Sequence, residues 1–408
     1  MMKKKKNQKK WTKFRHRIIR NLAFPIFHIY SKLKYGIKVE KFREQKKGTP
    51  YLILFNHQTA FDQFFVGMAF KGPVYYLATE DLFSNGFVSS LLRYAVAPIP
   101  IKKQATDITA IKNCIRVAKE GGTIAIAPEG NRTYSGETCY ISPAIISLAK
   151  KLNLPIALYR IEGGYGVQPR WSDVTRKGKM RSYVSKVIEP EEYSTMSDDE
   201  LFALVEKELY IDESKPDAIF ESKKKAEYLE RAMYVCPFCK LTTFESHGNE
   251  IECKQCGRKV SYGSDKQLKG IGFDFPFETV LEWYKYQENF INELDTGNYT
   301  ETPLYNDNAR VSEVIVYKHK NVLRKWAEIS LYGDRIVIDE NTSNSLAFPF
   351  SEITAISVLG RNKLNIYHNK KIYQFKSDRR FNALKYVNIY YRNKNIVRGD
   401  TVGKFLGL

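Results

Sequence analysis

Between residues 40 and 212, short apolar runs alternate with longer stretches in which apolar residues recur every three or four positions. The first pattern is typical of buried strands and the second of amphipathic helices. Their alternation predicts an α/β domain, a mixed sheet flanked by helices on both faces. The predicted strands are 51–55, 74–78, 96–101, 123–127, 155–161 and 181–188, and the predicted helices are 61–70, 81–93, 107–120, 141–152 and 198–209.

The predicted strand at 51–55 ends in Asn56 and His57, and Asp62 follows five positions after the histidine. Histidine exchanges a proton near neutral pH, and a neighbouring carboxylate can orient its ring and stabilise the imidazolium. Residues five apart diverge on a continuous helix, so these side chains meet only if the chain turns between them, as at a strand-to-helix corner. The alternative is a histidine and a helix-capping aspartate that share no role.

A second predicted strand, 123–127, also runs into a polar turn, which contains Glu129, Gly130 and Arg132. Glycine allows a sharp turn or a close approach of the backbone to a ligand. Arginine offers a planar, permanently charged group that suits phosphate. Both polar turns follow the carboxyl ends of predicted strands, where open α/β sheets collect their ligands. The sequence therefore predicts that both turns belong to one site.

Together the two turns resemble the glycerolipid acyltransferase family, of the 1-acylglycerol-3-phosphate acyltransferase type, in which Asn-His-x4-Asp precedes a Glu-Gly-Thr-Arg block. Asn131 stands where that family usually has threonine. Residues 98–103 and 154–158 resemble two further segments of the family, although Lys102 and Lys103 stand where arginine is common. The residues that match the two main blocks are Asn56, His57, Asp62, Glu129, Gly130 and Arg132.

This resemblance implies an enzyme that transfers a fatty acyl group from a thioester donor, acyl carrier protein or CoA, to the free hydroxyl of a lysophospholipid. The first acceptor to consider is 1-acylglycerol-3-phosphate, which would give phosphatidic acid, and a different lyso-lipid is the alternative. His57 would then be the general base and Asp62 its orienting partner. The backbone N–H groups that follow Asn56 are candidates for stabilising the oxyanion.

The other matching residues form the predicted substrate-binding set. Arg132 would contact the acceptor phosphate, supported by Lys102 or Lys103. Glu129 would hold Arg132 in position or bind an acceptor hydroxyl, and a purely structural ion pair is the alternative. The set is completed by the two residues that shape the turns, Asn56 and Gly130.

The chain has six cysteines, four of which form two Cys-x2-Cys pairs. This spacing predicts a tetrahedral thiolate zinc site in a small β-ribbon over 233–262. Structural stapling of a segment too small to fold alone is the favoured role, and a contact module for nucleic acid or protein is the alternative. The predicted ligands are Cys236, Cys239, Cys253 and Cys256. The flanking segments are interpreted as a charged, helical linker at 213–232 and a helical connector at 263–311.

From about residue 312 the apolar pattern changes to a period of two, with turn residues between the runs, as in short half-buried strands. A helix is predicted after them, at about 378–392. Several short strands closed by one helix resemble the pleckstrin-homology-like or GRAM-type fold, which places a β-rich domain at 312–396 and a tail at 397–408. The predicted strands are 327–332, 335–339, 353–358, 363–368 and 371–375.

Residues 1–39 contain thirteen Lys or Arg and no acidic residue. Trp11, Phe14, Ile18 and Leu22 share one helical face, and Pro25 is expected to kink or end that helix. A basic amphipathic helix of this kind predicts contact with an anionic membrane surface. The alternative is an ordinary helix docked on the next domain.

The whole chain of 408 residues has a net charge of +20, so acidic partners are expected. Uninterrupted apolar runs are too short to span a membrane, and we therefore expect a peripheral protein at the cytoplasmic face. Nucleic acid is disfavoured as a partner because the aromatic residues are scattered and the excess of basic residues is concentrated at the N-terminus. A non-enzymatic zinc-ribbon protein and a scaffold without activity are the alternative classes.

Overall fold

The computed structural model describes residues 9–101, 107–315 and 318–400. Its first half contains seven strands within these described ranges: β1 (Ile37–Val39), β2 (Leu52–Phe55), β3 (Val74–Thr79), β4 (Ile99–Ile101), β5 (Thr123–Ile126), β6 (Ile156–Glu162) and β7 (Met180–Ile188). The helices of this half are α1 (Phe14–Tyr35), α2 (Asp62–Ala69), α3 (Phe87–Ala95), α4 (Ile108–Lys119), α5 (Ala144–Leu152), α6 (Gly164–Val167), α7 (Pro190–Tyr193) and α8 (Asp198–Leu209).

These strands form one mixed sheet in the order β1-β7-β6-β2-β5-β3-β4. All neighbouring strands are parallel except β6 and β7, which are antiparallel. Along the central strand β2, Leu52 and Leu54 belong to the core on one face of the sheet, whereas Ile53 belongs to the core on the other. The prediction of a mixed sheet flanked by helices is therefore confirmed.

Helix α4 begins where the sequence predicts but buries a different face. Asp107 caps it, accepting hydrogen bonds from the N–H groups of Thr109 and Ala110 at 2.9 and 3.1 Å. The apolar spacing predicts a buried face of Ile108, Ile111, Ile115 and Ala118. The buried positions are instead Ala110, Cys114 and Val117, each one residue earlier than its predicted counterpart, and Ile108 is exposed. The spacing of apolar residues thus predicted the position of the helix correctly, but not which of its faces is buried.

Helix α1 does not end at Pro25, contrary to one of the two expectations for this residue; it continues to Tyr35. Hydrogen bonds from α1 and from the residues just before it dock this segment on the sheet domain. The Trp11 indole donates to the Ala97 carbonyl at 2.8 Å, and His16 Nδ1 lies 3.0 Å from the Tyr75 hydroxyl. None of the described helices is both long and apolar enough to cross a membrane.

The segment 213–232 is not the helical linker that its charges suggest. Apart from a 3₁₀ turn at Leu229–Arg231 it is non-helical, and much of it is buried against the sheet domain. Phe220 packs so closely on Gly166 and Gly178 that a Cβ on either glycine would lie 2.2–2.3 Å from its ring. The prediction failed because this segment is fixed by tertiary contacts that local composition does not record.

The ribbon region is built of short antiparallel strands that extend to residue 270, beyond the predicted boundary at 262. They are β8 (Val235–Cys236), β9 (Lys240–Leu241), β10 (Phe244–His247), β11 (Glu250–Cys253), β12 (Lys259–Tyr262) and β13 (Leu268–Gly270). The predicted helical connector, 263–311, is helical only at α9 (Val280–Glu293) and at a 3₁₀ turn, Thr296–Tyr299, and the strand after it begins at Tyr305 rather than at 312.

The C-terminal region is a seven-stranded antiparallel sheet followed by a helix, in the strand order β17-β16-β15-β14-β20-β19-β18. Its five predicted strands are present, and two more, β14 and β17, were not predicted. The elements are β14 (Tyr305–Val314), β15 (Lys320–Leu331), β16 (Arg335–Ile338), β17 (Leu346–Pro349), β18 (Ile353–Leu359), β19 (Lys363–His368), β20 (Lys371–Lys376) and α10 (Leu384–Arg398). A β-rich C-terminal region is thus observed; residues 401–408 of the predicted tail lie outside the described residues.

The ribbon and the C-terminal sheet share one apolar core, to which the sheet domain contributes Tyr134 and Trp171. Polar contacts reinforce this junction. Arg231, almost fully buried, pairs with both oxygens of Asp173 at 3.0 Å. The sheet domain, the ribbon and the C-terminal sheet therefore pack against one another through a shared core and are not separated by flexible linkers.

We predict that Phe220→Ala lowers the free energy of unfolding by about 3–5 kcal/mol, the range for removing a buried phenyl ring from a core. Ile219→Ala is the matched control, because the neighbouring Ile219 is 57% exposed and its truncation should cost less than about 0.5 kcal/mol. Urea denaturation of both variants measures the difference. Equal stabilities of the two variants would contradict the docking of this segment.

Candidate active site

Two polar turns lie side by side at the carboxyl edge of the sheet. Strands β2 and β5 are parallel neighbours with Leu54 opposite Ile126, so the turns that follow them emerge together. His57 lies in the first turn and Glu129 in the second, and a hydrogen bond joins the backbone N–H of His57 to the carboxyl group of Glu129. The sequence-based expectation of one site from two turns agrees with this geometry.

His57 and Asp62 are hydrogen-bonded, with Nδ1 of the imidazole 2.7 Å from Oδ2 of the carboxylate. The chain turns between them, since Asp62 is the first residue of α2. Asp62 is completely buried and also accepts from the N–H groups of Gln58 and Thr59 and from the Thr59 hydroxyl, at 2.6–2.9 Å. Because an ionised carboxylate only accepts, Nδ1 carries the proton and Nε2 is the basic nitrogen.

Glu129 connects the two turns through their backbones. Its Oε1 accepts from the N–H of His57 and its Oε2 from the N–H of Cys139, both at 2.7 Å. Burial raises the pKa of Glu129 to about 8, although these two hydrogen bonds favour the charged form. No ion pair joins Glu129 to Arg132, both of which are among the described residues. Glu129 thus positions the backbone that presents His57.

Asn56 connects β2 to β6. Its amide oxygen accepts from the N–H of Ile161 and its amide nitrogen donates to the carbonyl of Ile161, both at 2.8 Å. Both polar ends of this buried side chain are therefore used within the fold. Gly130, at φ +70°, adopts the left-handed backbone conformation that its turn requires.

The expected oxyanion site is wrong. The N–H groups of His57, Gln58 and Thr59 all donate to the carboxylates of Glu129 or Asp62. These bonds hold His57 and Asp62 in place, and the three N–H groups have no hydrogen left for a developing oxyanion. Glu129, which accepts from the N–H of His57, lies 72 positions farther along the chain and could not be assigned from the sequence, whereas Asp62 is only three or four residues from the other two donors.

Arg132 is a buried guanidinium on the second turn, and its Nη1 has no hydrogen-bond partner in the described part of the chain. Burial, followed by the positive charges of Arg170 and Arg361, lowers its pKa to about 9. A buried cation without a partner is costly unless an anion binds beside it. This arrangement suits a phosphate group.

Three residues near these turns were not predicted. Gln58, Gln168 and Arg361 each have buried side-chain atoms that lack a hydrogen-bond partner among the described residues. Gln58 follows the histidine directly and could have been considered from the sequence, whereas Arg361 lies in a turn that the sequence marked only as a turn. Lys102 and Lys103, predicted to support Arg132, lie outside the described residues.

A second cluster lies in the ribbon region. The Sγ atoms of its four cysteines all lie within 4.8 Å of one another. In a tetrahedral site with metal–sulfur bonds of about 2.3 Å, the sulfur atoms are about 3.8 Å apart, so these thiols can hold a metal ion after a small adjustment. The four residues are Cys236, Cys239, Cys253 and Cys256.

Comparison with known proteins points to the sheet domain. Residues 36–161 match the family model described as Acyltransferase. A 1-acyl-sn-glycerol-3-phosphate acyltransferase from Bacillus subtilis (strain 168) is 22% identical over 172 residues, which are 42% of this chain and 83% of that protein. The 1-acyl-sn-glycerophosphate (LPA) acyltransferase PlsC from Thermotoga maritima, a solved structure, is 22% identical over 46% of this chain and 77% of that chain, with a TM-score of 0.39.

The residues that match the Acyltransferase family model include both polar turns. The match ends at residue 161, so the ribbon and the C-terminal sheet lie beyond the matched residues. What these two regions add to the sheet domain has to be inferred from their own contacts.

Proposed function

We propose that this protein transfers a fatty acyl group from a thioester, acyl carrier protein or CoA, to the free hydroxyl of 1-acylglycerol-3-phosphate, giving phosphatidic acid. The observation that supports it most directly is the 2.7 Å hydrogen bond between His57 and a fully buried Asp62. That pair presents one basic nitrogen on a side chain that is 24% exposed. A different lyso-lipid acceptor would use the same pair.

In this mechanism Nε2 of His57 accepts the proton of the acceptor hydroxyl while the oxygen attacks the thioester carbonyl. The tetrahedral intermediate then loses the thiolate, which takes the proton back from the imidazolium. Asp62 stabilises the imidazolium and fixes the tautomer. Arg132 binds the acceptor phosphate, and no covalent acyl-enzyme is needed.

We also propose that the protein works on an anionic membrane surface at the cytoplasmic face. Helix α1 exposes an apolar stripe on the side away from the sheet, and α3, which contacts it, exposes Phe87, Val88, Leu91 and Tyr94. Arg17, Lys32 and Lys34 are exposed along α1 beside the stripe. Apolar side chains flanked by cations are typical of helices that lie in a membrane interface. The stripe consists of Phe14, Ile18, Leu22, Ile26, Ile29 and Leu33.

For the cysteine cluster we propose a structural zinc ion, since four thiolates in tetrahedral reach favour zinc. The ion would staple the loops before β9 and β12. For the C-terminal region we propose the pleckstrin-homology-like fold, a resemblance supported by seven antiparallel strands and one closing helix in the described residues.

Replacing His57 by alanine should abolish acyl transfer without unfolding the protein. Purified protein is given lysophosphatidic acid with acyl carrier protein and CoA thioesters in parallel, and phosphatidic acid is quantified. We expect kcat to fall at least about a hundredfold, the lower range for loss of a general base. His319→Ala, at an exposed histidine of the C-terminal sheet, should retain activity. Normal turnover by His57→Ala would exclude the mechanism, and a panel of lyso-lipids tests the acceptor if no product forms.

Membrane contact is tested with the double variant Leu22→Gln and Leu33→Gln, which leaves the charge unchanged. These side chains are 71% and 82% exposed, so their replacement should leave the fold intact. We expect binding to vesicles that contain anionic lipid to fall about tenfold or more, because two leucines no longer enter the apolar layer. Val397→Gln, at an equally exposed position on α10, is the control. Unchanged sedimentation of the double variant would place the membrane contact elsewhere.

Native mass spectrometry should show one zinc ion per chain, and Cys239→Ser should lower both the zinc content and the Tm because a ligand is lost. Cys114→Ala, which removes a buried thiol outside the cluster, should keep full zinc content. Metal-free protein with the same Tm as metal-loaded protein would refute a structural zinc.

A further inference from the structure

The turn between β18 and β19 reaches from the C-terminal sheet to the candidate active site. The guanidinium of Arg170, which is buried between them, donates to the carbonyl of Arg132 at 2.9 Å and to those of Val358 and Gly360 at 3.0 and 3.1 Å. One side chain thus fixes the phosphate-binding turn and the C-terminal turn to each other. The Tyr134 hydroxyl adds a bond to the Arg361 carbonyl at 3.3 Å.

Arg361, at the tip of this turn, has an unsatisfied hydrogen-bond donor that is available to bind an anion. Its Nη1 lies 3.0 Å from Asp173, but its Nε is buried without a hydrogen-bond partner in the described residues. The same holds for Nη1 of Arg132. Buried N–H donors are normally satisfied in a folded protein. Two such donors on neighbouring cations indicate that a ligand completes their bonds.

Charge effects show that the two arginines and the catalytic pair share one environment. The charge of Arg361 lowers the pKa of Arg132, and the charge of Asp62 opposes it. Burial raises the pKa of Tyr35, and the same two charges act on it: Asp62 raises this pKa further and Arg361 lowers it. Because Arg170 bonds to the carbonyls of both Arg132 and Gly360, the residue just before Arg361, Arg361 lies beside the turn that contains Arg132.

We propose that Arg361 binds the acceptor phosphate together with Arg132, so that the C-terminal domain completes the acyltransferase site. The inference rests on the proposed function, since it names the residues that hold the headgroup of the same acceptor. A phosphate monoester is a dianion with three terminal oxygens, which two guanidinium groups can bind from different sides.

Arg361 could instead serve only its ion pair with Asp173, and the variants are chosen to separate these roles. In Arg361→Gln, Asp173 keeps its two bonds to Arg231, so no carboxylate is left unpaired and the fold should persist. Arg335→Gln is a matched control within the same sheet. Arg335 is 30% exposed and 2.9 Å from Asp334, compared with 28% and 3.0 Å for Arg361 and Asp173.

The first readout is binding of sn-glycerol 3-phosphate to the full chain by isothermal titration calorimetry, with glycerol as the uncharged comparison. We expect the wild type and Arg335→Gln to bind with similar Kd, and Arg361→Gln to bind about ten- to a hundredfold more weakly, the range for loss of hydrogen bonds to a charged group. Arg361→Lys should be intermediate, because lysine restores the charge without the planar fork. Equal Kd values in wild type and Arg361→Gln, or binding by neither, would overturn the inference.

The second readout is the kinetics of acyl transfer. A phosphate-binding role predicts a raised KM for lysophosphatidic acid in Arg361→Gln, with the KM for the thioester and the Tm near those of the wild type. A lowered Tm and kcat with an unchanged acceptor KM would instead indicate a structural ion pair and overturn the proposal. Arg361-dependent binding of glycerol 3-phosphate without acyl transfer would refute the proposed function and leave the phosphate site intact. Acyl transfer with unaltered kinetics in Arg361→Gln would support the proposed function and overturn the phosphate-binding role of Arg361.

Discussion

The arrangement at the sheet edge depends on the buried carboxylate of Asp62. It accepts from the imidazole of His57, from two backbone N–H groups and from one hydroxyl, and its own residue begins α2. A carboxylate with this many donors is held rigidly, and a rigid acceptor fixes the tautomer of the histidine it faces. Glu129 holds the backbone of His57 by accepting a hydrogen bond from its N–H. The two buried carboxyl groups of Asp62 and Glu129 therefore determine the direction of one basic nitrogen, Nε2 of His57.

Much of the sheet domain could be predicted because short stretches of neighbouring residues determine where its strands and turns lie. Strand β2 is an apolar run that stops at Asn56, and the boundary between apolar and polar residues marks both the strand end and the site. The closeness of His57 and Asp62 required only a turn between them. The ribbon cysteines were equally accessible, since two Cys-x2-Cys pairs fix their own spacing and their sulfur atoms converge.

What could not be predicted depends on contacts between distant segments. Phe220 lies in a stretch whose charges suggest a solvated linker, yet two glycines without side chains provide the space in which it packs. In α4 the apolar residues occupy more than one face, so the spacing alone did not distinguish Ile108 from Cys114 as the buried position. Arg170 donates only to backbone carbonyls. Carbonyls are present at every position, so no pattern of side chains identifies its partners.

The junction held by Arg170 also has a consequence for the order in which the protein is made. Tyr134 and Arg361, which meet at this junction, are separated by 227 positions along the chain. At translation rates of about 5–20 residues per second, the ribosome needs roughly ten seconds or more to cover that distance. During this interval the sheet domain has emerged with Tyr134 and Trp171 not yet covered by the ribbon and the C-terminal sheet. A chain released early would thus contain His57 and Asp62 but lack the Arg361 that we propose for phosphate binding, which would make the proposed activity depend on completion of synthesis.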